Sequence, residues 1–294
     1  MSLPKPPEDV STGSTNEGWV PKLVALDIDG TLLIPDFERG FSTEHVTDAV
    51  AAAVLDAARA GAIIVLASGR APLSMAGVAD RLGLTELVRE LTGERLHIVA
   101  SNGSVVFRHA PMEVVHEVLF DASEAVHTVL QHVPGAAVAV EEHGLGYRVN
   151  RLFPPGELDG EMIICDLNDM IADDVSRVII RDPDSTSEDF VNLARQLGLH
   201  GTNYFIGWTA WLDLAPEGVS KASGLEWVCR EMGVEAHEVL AIGDGRNDIE
   251  MLTWAGRGVA MGQGPEVVRL AADHVTGKVQ DDGAATELRR WFAG

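Results

Sequence analysis

The chain has 294 residues, 46% of them hydrophobic, which is enough to bury one large core or two moderate ones in a soluble globular protein. Its formal charge of −23 sets long-range electrostatics against nucleic acid and anionic membrane surfaces, so an anionic ligand would need cations placed locally. No apolar run approaches the ~20 residues that span a bilayer, and the N-terminus lacks the basic and apolar regions of a signal peptide, so a cytoplasmic location is expected.

Residues 1–18, rich in Pro, Ser, Thr and Gly without apolar periodicity, are expected to form a mobile tail. "KLVALD" is predicted to be a short buried strand. After a loop, Val46, Val50, Ala53, Val54 and Ala57 recur at helical spacing, and Gly61 ends the helix they predict. "AIIVLA" predicts a second strand, "PLSMAGVADRLG" a helix opening on Pro72, and "HIVA" a third strand, the alternation of a parallel α/β sheet. "SVVFRH" and "EVVHEVLF" then predict an antiparallel hairpin. Residues 121–207 mix a helix around "DASEAVHTVLQHV", strands "AAVAVEE", "GYRVN" and "VSRVIIR", a helix "SEDFVNLARQLG" and a strand "TNYFIG". From "AWLDLAP" onward strand and helix alternate again, through "SKASGLEWVCREMG", "EVLAIG", "NDIEMLTWAG", "GVAMG", "PEVVRLAA" and "DHVT". The expected architecture is a doubly wound parallel α/β core, residues 19–120 and 208–294, split by an inserted α+β unit at 121–207.

In open parallel sheets the ligand site lies beyond the carboxyl ends of the strands. Four such ends are polar: Asp27 and Asp29 after the first strand, Ser68 in "LASGR", Asn102 in "ASNG", and Asp244, Asn247 and Asp248 in "AIGDGRNDIEML". Lys221, in "GVSKAS", stands at the start of a helix, with Ser220 suited to cap it. Asp27, Asp29, Asp244 and Asp248 would crowd four negative charges together unless a divalent cation joined them, and hard oxygen donors without His or Cys suggest Mg²⁺ rather than zinc. Lys221 adds a compact charge, and Ser68 with the Gly69 N–H adds uncharged donors, a set suited to a phosphoryl group. Asp27 would attack phosphorus to give an aspartyl-phosphate, while Asp29 would protonate the leaving alkoxide and then activate water.

"DIDGTLL", "LASGR", "GVSKASGLEWV" and "AIGDGRNDIEML" resemble, in order and spacing, the four motifs of the haloacid dehalogenase-like superfamily. The Cof-type sugar-phosphatase branch, with its type IIB α/β cap, is the most similar, and "SNGSVVF", "GVAMGQGPEVVRLAADHVT" and "DDGAATEL" extend the match over nearly the whole core. The resemblance implies Asp27 as nucleophile and metal ligand, Asp29 as general acid/base with its carbonyl on the metal, Asp244 as metal ligand and Asp248 as support for the metal's water shell. It implies phosphate binding by Ser68, Gly69, Lys221 and Asn247; the family more often has Thr at the Ser68 position. Because dehalogenases lack the second Asp, phosphate ester chemistry is implied over carbon–halogen cleavage. The expected partner is a small phosphorylated metabolite, with neither nucleic acid nor membrane. Two alternatives stay open: a phosphomutase using the same aspartyl-phosphate, and a phosphometabolite-binding protein without catalysis.

Competing readings of the same residues fail on spacing. Asp27-x-Asp29 begins like an EF-hand loop, yet Gly30 stands fourth instead of sixth, and "GDGRND" has Asp248 where a dinucleotide fingerprint needs its third glycine. Cys165 and Cys229, without a CxxC spacing, point to two buried thiols and not to a disulfide framework or a zinc site. The ten histidines show no paired-ligand spacing, and none is given a catalytic role. In the inserted unit, "EEHGLGYRVN" and the acidic "GELDGEMIICDLNDMIADD" are expected to be solvated faces. Glu141 and Glu142 evoke a glycosidase pair, but adjacent strand residues point to opposite faces. Arg70, Asn102, His143 and Arg148 remain as candidates to touch the substrate.

Overall fold

Four consecutive apolar residues leave no polar face, and strand β1 (Leu23–Leu26) is buried on both sides: Leu23 and Ala25 pack into one hydrophobic cluster, Val24 and Leu26 into the other. The computed structural model describes residues 18–36, 41–42, 46–182, 185–186, 188–190, 192–193, 202–206 and 211–292. The predicted tail up to residue 17 lies outside the described residues, as do residues 43–45 and much of the predicted helix "SEDFVNLARQLG".

In chain order, β1 is followed by a short antiparallel pair, β2 (Pro35–Asp36) and β3 (Phe41–Ser42), then by a helix Asp48–Arg59 that Thr47 caps by accepting from the Val50 N–H. Strand β4 (Ile63–Ala67) leads to a helix that opens on Pro72 and a second helix Leu84–Thr92, which the sequence patterning did not single out. Next come β5 (Leu96–Ala100) and the predicted hairpin, β6 (Val105–His109) with β7 (Glu113–Glu117).

A second unit follows: helix Ser123–His132, β8 (Ala137–Glu142), β9 (Gly146–Val149), β10 (Glu161–Ile164), the turn of helix Leu167–Met170, β11 (Val178–Arg181), β12 (Thr202–Ile206) and β13 (Trp211–Pro216). The chain then forms helix Lys221–Met232, β14 (Val239–Gly243), helix Ile249–Trp254, β15 (Arg257–Ala260), helix Glu266–Ala271, β16 (His274–Val275) and helix Gly283–Phe292.

The large sheet runs β16-β15-β14-β1-β4-β5-β6-β7, parallel except for the hairpin at one edge, with helices closing a hydrophobic cluster on each face. The second sheet runs β10-β9-β8-β11-β13-β12 and is antiparallel except for the β9–β10 pair. This is the expected α/β core with a mixed second sheet. Two expectations change. "WLDLAP" forms β13, hydrogen-bonded between β11 and β12, so the return to the large sheet comes after Pro216 and not at residue 208. "EMII" forms the edge strand β10, where no strand was predicted, although Glu161, Ile163 and Ile164 are exposed as the expected solvated face requires.

The parity of the second sheet orients it. Val138, Val140, Val178, Ile180, Leu212 and Leu214 pack under the helix Ser123–His132. The alternate positions, among them Ala139, Tyr147 and Ile179, pack with Ala71 of the large unit. One face of the second sheet is therefore turned toward the loop after β4. Cys229 is buried, and burial pushes its thiol up to about 11, whereas Cys165 is partly exposed, against the expectation of two buried thiols. Among the described residues no helix is long and apolar enough to cross a membrane.

Candidate active site

Because β1 and β14 run parallel with Leu26 opposite Ile242, the residues that leave their carboxyl ends, Asp27 and Asp244, emerge side by side. A turn later Asp248 bends back, its Oδ2 accepting from the N–H groups of Asp244 (2.9 Å) and Gly245 (2.8 Å). One oxygen each from Asp27, Asp244 and Asp248 lies within 4.8 Å of the others, and all three residues are buried. Lys221 reaches this cluster from the first residue of its helix, where the helix dipole disfavours a cation. The carboxylates hold it there: Nζ donates to Asp27 Oδ1 and to Asp248 Oδ1, each at 2.6 Å, with the side chain wholly buried. Its position depends on the Ser220 cap, reciprocated by Ser223, and on Gly103, whose φ of +101° and lack of a side chain let the loop after β5 approach within 2.0 Å of the Ser220 carbonyl at the point a Cβ would occupy.

Burial, and then the Asp248 charge, push the Asp27 carboxyl up to about 7 even with Lys221 pulling the other way. Burial, and then Asp27 and Asp248, push Asp244 up to about 8. Burial alone would lower the Lys221 ammonium, but Asp248 and Asp27 outweigh it and raise it, so Lys221 stays charged. One ammonium thus does not neutralise three carboxylates. The excess negative charge and hard oxygen donors fit a divalent cation, and Asp244 is the carboxylate least committed elsewhere, taking a single hydrogen bond from Gln263 Nε2 at 3.2 Å.

Two residues that the motifs did not single out complete this half. Thr31 Oγ1 donates to Asp27 Oδ2 (3.1 Å), the oxygen Lys221 leaves open. Gln263 ties Asp244 to the Gly30 carbonyl and takes the Val279 N–H on its own oxygen at 2.9 Å. Thr31 lies inside the first motif, two residues after Asp29, and a polar side chain there was the available signal. Gln263 sits in a glycine-rich turn whose partner lies 233 positions away, and nothing local announces it.

On the other side, Ser68, Gly69 and Arg70 leave β4 beside Asn102. The Asn102 N–H donates to the Ser68 carbonyl (3.0 Å), and its side-chain oxygen accepts from Asn247 Nδ2 (3.0 Å). A Cβ on Gly69 would stand 3.0 Å from Asn102 Nδ2. Ser68, Gly69, Asn102 and Asn247 therefore form one continuous polar wall. Asp29 is turned away from the carboxylate cluster: Arg70 grips its two oxygens with Nε (2.8 Å) and Nη2 (2.6 Å), while Nη1 donates to Ser74 Oγ at 3.1 Å. Its side chain is absent from the group that could hold a metal ion, which leaves its carbonyl as the only ligand it would offer.

The inserted unit contributes differently from expectation. His143 lies at the junction of the two units, with Nε2 3.2 Å from Ser176 Oγ and 3.3 Å from Glu117 Oε1. Arg148 does not reach the site: in the alternate position to Tyr147 and Val149, it faces the helix side of its sheet, beside Glu142 (3.1 Å) and the Asp169 carbonyl (3.5 Å). Glu141, expected on a solvated face, is buried and accepts from Ser101 Oγ at 2.7 Å.

The haloacid dehalogenase-like hydrolase family model matches residues 24–288. Over 93% of its length the chain is 27% identical to the 5-amino-6-(5-phospho-D-ribitylamino)uracil phosphatase YitU of Bacillus subtilis, covering 98% of that protein. It is 26% identical to the HMP-PP phosphatase of Cronobacter sakazakii, covering 92% of this chain and 96% of that one. Among solved structures, the phosphatase BT1666 of Bacteroides thetaiotaomicron superposes with a TM-score of 0.71 at 28% identity, covering 96% of this chain and 99% of that one. The subclass IIB sugar phosphatase BT4131 superposes with a TM-score of 0.74 at 23% identity over 92% of this chain and 98% of that one, a likeness of fold. With its motifs gathered at the carboxyl ends of a parallel sheet beneath a second mixed sheet, the chain belongs to the haloacid dehalogenase-like hydrolases, as one of their phosphatases.

Proposed function

We propose that the protein is a Mg²⁺-dependent phosphomonoesterase that hydrolyses a small sugar or polyol phosphate through an aspartyl-phosphate on Asp27, with residues 121–216 acting as a cap over the site. The observation that carries this reading is the buried ammonium of Lys221, 2.6 Å from both Asp27 and Asp248, at the rim of a carboxylate cluster too acidic for one cation to balance. Asp27 and Asp244, with Asp248 behind them, would hold Mg²⁺, which when bound supplies positive charge against the phosphoryl oxygens. Ser68, the Gly69 N–H, Asn247 and Lys221 bind the remaining phosphate oxygens.

In the first step an Asp27 oxygen forms a bond to phosphorus and the ester P–O bond breaks, the leaving alkoxide taking a proton from Asp29. In the second, Asp29 takes a proton from water, the hydroxide forms a bond to phosphorus, and the Asp27–phosphorus bond breaks to release phosphate. The pairing of Arg70 with Asp29 favours the ionised carboxylate, and a phosphate dianion is an alternative partner that draws the guanidinium away and frees Asp29 to carry a proton. The substrate in YitU's name, a phosphorylated ribityl compound, supports a polyol phosphate as the class.

The test is release of inorganic phosphate from a panel of sugar phosphates, phosphorylated cofactors and nucleotides, with and without Mg²⁺. Release is expected from sugar or polyol phosphates in the presence of Mg²⁺, and Asp27→Asn is expected to lower kcat by at least about a thousandfold. Activity retained in that variant would sink the nucleophile assignment, and isomerised product without free phosphate would make the enzyme a mutase.

A further inference from the structure

The cap sheet turns one face toward the loop Ser101–Gly103, and on that face three charged side chains are buried together: Glu141, Arg177 and Asp213. Arg177 gives Nε and Nη2 to Asp213, at 3.0–3.2 Å, and its Nη1 makes no hydrogen bond among the described residues, with Glu141 Oε2 at 3.7 Å as its ion-pair partner. Glu141 is 8% exposed; Oε2 accepts from Ser101 Oγ at 2.7 Å, while Oε1 has no hydrogen-bond partner among the described residues. His143 Nε2 lies 3.6 Å from Oε1 and closer to Ser176 and Glu117. The buried acceptor Oε1 and the guanidinium nitrogen Nη1, 3.7 Å from the other oxygen of the same carboxylate, thus belong to one cluster. Leaving such an acceptor as Oε1 unmade is costly, on the order of 1–3 kcal/mol for a buried unsatisfied polar group.

The cluster borders the phosphate wall. Asn102 spans the gap, its Nδ2 3.5 Å from Asp213 Oδ2 and its Oδ1 accepting from Asn247 at 3.0 Å. A group esterified to a phosphate held by Ser68 and Asn247 therefore extends toward Glu141 and Arg177.

We propose that Glu141 and Arg177 are a specificity-determining pair that reads a hydroxyl group of the leaving group, an inference that rests on the function proposed above. A hydroxyl is the simplest group that both donates and accepts, and so completes Glu141 Oε1 and Arg177 Nη1 together. With two carboxylates against one guanidinium, the cluster carries net negative charge and disfavours a second phosphate or carboxylate on the substrate.

The experiment measures kcat/KM for a sugar or polyol monophosphate, its singly deoxygenated analogues and its bisphosphate, with the wild-type enzyme, Glu141→Met and Glu141→Gln. For the wild type, removal of one particular hydroxyl is expected to lower kcat/KM at least about tenfold, because a site built to bond a hydroxyl rejects the analogue lacking it. The bisphosphate is expected to be at least about tenfold poorer than the monophosphate. Glu141→Met should bring the deoxy-to-hydroxy ratio close to one, and Glu141→Gln, which keeps an acceptor oxygen, should restore most of the preference. Indifference of the wild type to every deoxygenation overturns the proposal without any variant having to fold. So does a preference undiminished in Glu141→Met, or equal turnover of the bisphosphate. If the wild type releases phosphate from none of these esters, the function proposed above fails first and takes the pair's role with it.

Discussion

Replacing Lys221 by Met keeps an unbranched chain of similar length and removes the ammonium from between Asp27 and Asp248. Lys221 makes two charge-assisted hydrogen bonds at 2.6 Å with no exposure to solvent. At about 1.5–3 kcal/mol each their gross loss is about 3–6 kcal/mol, and removing one partner of a buried ion pair costs about 3–5 kcal/mol, so a loss near 4 kcal/mol is expected where the carboxylates must stay ionised. Burial and the Asp248 charge already push Asp27 up to about 7 with Lys221 in place, and without the ammonium Asp27 titrates higher still. Below those values a proton substitutes for the ammonium; above them the variant carries the full penalty. The cost of Lys221→Met should therefore be small at pH 5.5 and approach the full value at pH 8.5. Urea unfolding of both proteins in EDTA at the two pH values measures it. An equal loss at both, or a loss below about 1 kcal/mol at pH 8.5, would refute the view of Lys221 as counterion to the cluster.

Two further outcomes follow from the same geometry. Asp27 and Asp244 titrate near 7 and 8 in the fold against 3.8 for the unperturbed group, so the metal-free fold loses stability as pH rises from about 4 through about 8. A divalent cation offsets this charge, and the rise in Tm on adding Mg²⁺ should be larger at pH 8.5 than at 5.5; equal increments would contradict it. Gly30, at φ +84°, would place an added Cβ 2.1 Å from Asp244 Oδ2, whereas Gly61, at φ +95°, has nothing within 4 Å of that point. Gly61→Ala should cost only the left-handed backbone strain, about 1–2 kcal/mol, while Gly30→Ala should cost that and also raise the Mg²⁺ concentration needed for half-maximal stabilisation. Unchanged Mg²⁺ dependence in Gly30→Ala would separate Asp244 from the metal.

The large sheet was legible because its strands are continuous apolar runs and its helices carry an apolar stripe, patterns set by burial on two faces and on one. Apolar patterning reports a period and not a partner, which is why "WLDLAP" reads as well for one sheet as for the other and was assigned to the wrong one. The same limit applies to Glu141 and Arg148. Parity separates Glu141 from Glu142 and Tyr147 from Arg148, but only the packing of Ala71 against Tyr147 tells which set faces the site. Asp27, Lys221 and Asp244 were found because each ends or begins a recognisable element. Gln263 and Arg177 were not, since their partners come from other elements and their own surroundings carry no pattern.

The short stretch that leads out of β13 sets a limit of reach. Asp213 belongs to the cap sheet and Lys221 to the catalytic half, and only residues 217–220 join the end of β13 to the buried lysine's helix. Four residues drawn straight extend roughly 14 Å. The other connection is held near Phe120, which pairs with Val175 at the root of the cap. One leg is thus four residues long and the other is paired at its base, so both connections between the two units are short.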